Sequence, residues 1–247
     1  MKVHITKLGA AQRQLRASIR MYFAGEDEFA VHTVASAAYG LLKDLKKSRG
    51  RDEATDYYLT TIFYAVRSYR RGDLPAYLAD NPDSMKWIMK MAAQLPIQAD
   101  SMFEDVCASI TPETAATFWQ KRNRFSNFLK HADRDSKKTI TLEEIDNSHL
   151  LMQVLGAYTD LVNDDLGAEG IVFWLYFTVT FGAKSDQSEK FRDFASTLES
   201  IDGPKRLEFC SSLIRELNGR VAQLHASVAG SKNAGAMLKF DIERPLL

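Results

Sequence analysis

The sequence predicts an all-α protein, a multi-helix bundle of about eight to ten helices with no significant sheet. Three observations predict it. Apolar residues recur close to every 3.6 positions along almost the whole chain. The stops between apolar segments are helix caps, not hairpin turns. And 247 residues with 45% hydrophobic and 11% aromatic content can bury a sizeable core.

Thr6 can cap a first helix running to about Phe23, with Leu8, Leu15, Ile19 and Phe23 on one stripe and Gly25 as its stop. A second helix starts at about Asp27 and turns Phe29, Val31, Val34, Ala35, Ala38, Leu42 and Leu45 inward. It ends in Lys43, Lys46 and Lys47 before Gly50, as the helix dipole favours. The short connection makes the pair an antiparallel hairpin. A tyrosine-rich third helix, near 53–70, ends in "RSYRRGDLP", where Gly72 and Pro75 break the pattern. Pro82 and Pro96 bracket a fourth, and a short fifth runs over about 99–109.

Thr111 as cap, Pro112 at the first position and Glu113 in the first turn begin a sixth helix, "TPETAATFWQKRNRFSNFLKHAD". Beyond a loop at 133–141, helices are expected near 148–163, 168–181, 187–200 and 204–224, punctuated by Gly167, Gly182 and "DGP" at 202–204. Residues 1–225 read as one helical domain, with a seam near 72–96 if it divides into two lobes. Residues 226–247 lose the periodicity and read as a loose tail or docking arm.

Lys plus Arg equals Asp plus Glu at 32 each, so net charge does not direct the chain to nucleic acid or membranes, and any binding patch must be local. The start has no apolar run after its basic residues, and Cys107 and Cys210 are too few to frame a disulfide-dependent fold. A soluble, reducing, cytoplasmic setting is expected. The most apolar run, "IVFWLYFTVTF" at 171–181, is about half of what a bilayer needs, so it reads as a core element and no membrane partner is expected.

One stretch, "RFSNFLKHADRDSKKTITLEE" at 124–144, offers chemistry. Arg124 and His131 are seven residues apart, which at about 100° per residue returns to within about 20° of one helix face, with Asn127 between them. A guanidinium can stabilise charge on a phosphate, an imidazole can move the proton of a ribose hydroxyl, and an amide can orient either. Such a trio needs no metal and no cofactor. The stretch resembles the HEPN helical proteins, whose ribonuclease members carry an Arg, four to six residues, then a His on one helix. A polar residue usually follows that Arg, where Phe125 stands here. The resemblance implies a metal-independent ribonuclease-like site at Arg124, Asn127 and His131.

"AVHTVASAAYGLLKDL" and "NFLKHADRD" also resemble a group of uncharacterised bacterial all-helical proteins with a "KHAD" helix end. That resemblance implies that His32 meets His131 in the fold, which adds His32 to the site. Read from its neighbours alone, His32 beside Phe29 and Ala35 is a core histidine with one satisfied nitrogen.

Counting from Asp133 as position 1, Asp135, Ile140 and Glu144 fall on landmarks of a calcium loop. Lys137 and Lys138 put a cation where a ligand belongs and a β-carbon where glycine belongs, so this degenerate loop is expected to ignore calcium. Thr141 and Glu144 read equally as an ordinary capping box. Elsewhere, "RSYRR" with Tyr64 and Tyr69 could grip a single strand by charge and stacking. Two function classes follow. One binds or cleaves RNA, a nucleotide or another phosphodiester through the 124–131 face. The other is a non-enzymatic helical interaction or scaffold protein, with a protein partner or a second copy of itself, in which that face is packed or salt-bridged.

Overall fold

The first two helices form where the caps require them. Thr6 Oγ1 accepts from Gly9 N at 3.0 Å and starts α1 (Lys7–Phe23); Asp27 Oδ1 accepts from Ala30 N at 3.0 Å and starts α2 (Glu28–Ser48). Between them Gly25 takes φ 67, which glycine adopts without a Cβ penalty, and the chain reverses in a tight turn. Ala11, Leu15, Ile19 and Phe23 of α1 then bury against Val31, Ala35, Ala38 and Leu42 of α2. Small residues on α2 allow this close antiparallel approach, while Phe29, Val34 and Leu45 are only half-buried at its margin.

The computed structural model describes residues 4–49, 57–74, 76–103, 105–106, 123–130, 136–137, 139–162, 167–181 and 192–229. After the hairpin come α3 (Tyr57–Arg71), the single turn α4 (Ala76–Ala79), α5 (Pro82–Gln94) and α6 (Arg124–Lys130). A 3₁₀ turn (Leu142–Glu144) leads to α7 (Asn147–Thr159), α8 (Gly167–Phe181), α9 (Arg192–Ser200) and α10 (Gly203–Ala229). The architecture is an all-α multi-helix bundle, with no strand among the described residues. No helix among them is long and apolar enough to cross a membrane.

Two hydrophobic clusters organise the bundle. The larger joins α1 and α2 to α7, α8, α9 and α10 through Leu151, Val154, Val172, Phe173, Leu198 and Ile214. The run at 171–181 lies within α8, and its buried members, Val172, Phe173, Leu175 and Tyr176, make that helix part of the core. The smaller cluster packs Ile62, Phe63 and Val66 of α3 on Met91 and Ala92 of α5, closed by Leu95, Ile97 and Val106. Asn81 starts α5 by accepting from Asp83 N and Ser84 N, with Pro82 at the first helical position.

Several boundaries differ from expectation. α7 stops at Thr159, not near 163, and the next two residues are tied down: Asp160 pairs with Lys46 and the Leu161 carbonyl accepts from Arg49 Nη1 at 2.9 Å. α10 runs on to Ala229, so the first residues of the expected tail are helical. Ala226 to Ala229 contain no breaker, and the next glycine is Gly230. The expected helix start at 111–113, residues 187–191 and the remainder of the tail, 230–247, lie outside the described residues.

Candidate functional site

α2 sets the position of His32, whose ring is 6% exposed. Its Nδ1 lies 3.3 Å from Asn147 Oδ1, and Asn147 Nδ2 donates to the Glu28 carbonyl at 3.0 Å. One amide from the start of α7 thus holds both the histidine and the backbone of the first turn of α2. The imidazole also meets Phe125 edge to face, with centroids 5.8 Å apart. His32 is a buried histidine packed against the α6 helix, as its apolar neighbours suggest.

Arg124 opens α6 on the same side. Its guanidinium stands 5.5 Å over the Phe125 ring, and its Nη1 is 2.5 Å from Glu144 Oε2. Glu144 closes the capping box: its Oε1 accepts from the Thr141 N–H at 3.4 Å and from the Thr141 hydroxyl at 3.1 Å. The Thr141 backbone donor first, with the hydroxyl and the Arg124 charge, holds the Glu144 carboxyl below the usual carboxylate range. The last ligand position of the calcium-loop reading is therefore already a cap and an ion-pair partner.

Asn127 is exposed on α6, its backbone N–H donating to Asn123 O at 2.7 Å. His131, the proton-transfer member of the expected trio, lies outside the described residues, as do Asp133, Asp135 and Lys138. The structure thus brings both Arg124 and His32 against Phe125, one engaged by a carboxylate and the other buried.

The basic cluster in the last turns of α3 makes structural contacts. Arg67 stacks over Phe63 and Tyr64 at 4.8 and 4.9 Å, Arg70 Nη2 donates to Ala92 O at 2.9 Å, and Arg71 Nε donates to Ala99 O at 2.5 Å. These bonds tie the end of α3 to the end of α5 and the loop beyond it.

Two polar groups escaped sequence reasoning. At the start of α7, Asp146 Oδ1 accepts from His149 N at 3.0 Å and from Ser148 Oγ at 2.7 Å, and Asp146 Oδ2 is 2.6 Å from His149 Nδ1. Partial burial works to raise the Asp146 carboxyl, but these donors outweigh it and bring it down to about 2. Asp, Ser and His together suggest a nucleophilic triad, yet the serine contacts the carboxylate and the same imidazole nitrogen, at 3.5 Å, as the carboxylate does. That geometry caps a helix and does not relay a proton. The second group is Glu169 with Arg16 and Arg20. A lone glutamate inside the most apolar helix was the available signal, since a buried charge demands partners. Among the described residues, no three His, Cys, Asp or Glu side chains gather to hold a metal ion.

No family model, curated protein or solved structure matches the chain.

Proposed function

We propose that the chain is a non-enzymatic helical interaction protein, in which the Arg124 face serves as an internal joint. The observation that carries this reading is the ion pair between Arg124 Nη1 and Glu144 Oε2 at 2.5 Å. An arginine that stabilises a phosphodiester transition state must aim free donors at developing negative charge. Here Glu144, itself held by Thr141, already engages Nη1 and sets a negative charge beside the guanidinium that an incoming phosphate must overcome. His32 adds to the argument, because an imidazole bonded to Asn147 and shut behind Phe125 is out of reach of a ribose hydroxyl.

The surface suited to a protein partner or a second copy is apolar. Tyr64, Met89 and Met102 are each more than half exposed and belong to α3, α5 and the segment after it, while the exposed Leu142 lies in the turn that carries Glu144. Large exposed side chains of this kind favour protein contacts.

Fluorescence anisotropy with a labelled single-stranded RNA tests the choice between classes. Wild type and Arg124→Ala are expected to give the same weak, non-saturating response. Saturable binding by wild type that Arg124→Ala abolishes would return the function to the phosphodiester class.

A further inference from the structure

Glu169, in the first turn of α8, is 2% exposed and lies between α1 and α10. Its Oε1 accepts from Arg20 Nη1 at 2.5 Å and from Asn218 Nδ2 at 3.1 Å. Its Oε2 is buried with no hydrogen-bond partner, 4.0 Å from an Arg16 Nε that is also buried and unpartnered. Arg16 and Arg20 stand one turn apart on the same face of α1, and their side chains keep 36% and 50% of their exposure. Among the described side chains here, two guanidiniums face one carboxylate, and the N-terminal end of α8 adds its own partial positive charge. Gly167 lets the Arg16 guanidinium lie against the start of α8, where a Cβ would run into it.

We propose that Arg16, Arg20 and Glu169 form a binding site for a phosphate group that still carries a proton. Arg16, whose Nε has no hydrogen-bond partner, supplies N–H donors for the ionised oxygens, while Arg20 keeps its Nη1 on Glu169 Oε1 and adds its charge. The free Glu169 oxygen supplies the selection, because a buried acceptor left without a donor is costly. It repels a fully ionised oxyanion such as sulfate and accepts from a P–OH group. Among the described residues Arg16 makes no hydrogen bond, so its swing onto the ligand breaks none and uncovers Glu169 Oε2. The site stands on α1, α8 and α10 and does not depend on the role of Arg124.

Calorimetric titration of the full chain with inorganic phosphate, sulfate and phenyl phosphate tests it. At about pH 8 inorganic phosphate keeps one proton, whereas a monoester, with its second pKa near 6, has lost its own. Saturable phosphate binding is expected there, with sulfate and phenyl phosphate weaker by about tenfold or more. At about pH 5 phenyl phosphate regains its proton and binds as well; whichever of it and inorganic phosphate binds tighter names the source the site serves. Arg16→Gln should weaken phosphate by about tenfold, and Glu169→Gln should close the gap between phosphate and sulfate. Should Glu169→Gln fail to fold, Arg16→Gln and the three wild-type titrations decide alone. Equal binding of sulfate and phosphate, no saturation by phosphate, or unchanged binding in Arg16→Gln would each overturn the site.

Discussion

Arg124 Nη1 lies 2.5 Å from Glu144 Oε2, so the arginine that suggests a nuclease and the glutamate that suggests a calcium loop are partners in one ion pair. Each is already engaged at the group its spacing advertises. The carboxylate would compete with any phosphate for the guanidinium, and the guanidinium with any cation for the carboxylate.

The loop should therefore ignore calcium. Calorimetry should detect no binding tighter than about 10⁻⁴ M, near the weak end of functional calcium modules. Binding above that strength that vanishes in Glu144→Gln would show that the pair yields to the ion.

Asn147 is the joint between α2 and α7. Asn147→Ala leaves His32 Nδ1 and the Glu28 carbonyl without this amide, and should cost about 1–3 kcal/mol in urea unfolding. A loss under about 0.5 kcal/mol, the range of ordinary surface changes, would mean that the amide does not hold the two helices together.

Asp146 should give the fold an acid limb. Its carboxyl is held at about 2, below an unfolded value of about 3.9, so its contribution is complete above about pH 4 and is lost as pH falls through about 2. Asp146→Asn keeps a good cap but not the charge. Urea midpoints of the two proteins should differ above about pH 4 and converge toward about pH 2. A gap that stays constant across this range would rule out the charge as its cause.

Gly167 has φ 66, a left-handed conformation at the start of α8. Gly167→Ala should cost about 1–2 kcal/mol from the backbone alone. Truncating Arg16 as well should not recover it, because the Arg16 guanidinium can move aside while φ cannot. Full recovery in the double variant would place the cost in the side-chain clash.

Local features of the fold were legible and distant pairings were not. Thr6, Asp27, Pro82 and the Thr141–Glu144 box are signals written within three or four residues, and each starts an element as its chemistry requires. Periodicity also named the inward face of α1, down to Leu15, Ile19 and Phe23. It cannot say which helix covers a face. Asn147 reaches His32 across 115 residues, and Glu169 reaches Arg20 across 149, so neither bond leaves a spacing to read. The site reading failed to anticipate Glu144 as the partner of Arg124 for the same reason: the two positions are too far apart in the chain for any spacing rule, and only the fold brings them together.

The central claim is that the Arg124 face joins parts of the protein and does no chemistry on RNA. Wild type, Arg124→Ala and His131→Ala, each confirmed folded by thermal melts, can be incubated with mixed RNA in EDTA and the products resolved on a denaturing gel. Intact RNA in all three is the expected result. Cleavage by wild type that falls by about 10² or more in both variants, as losing a proton-transfer or charge-stabilising group requires, would contradict it.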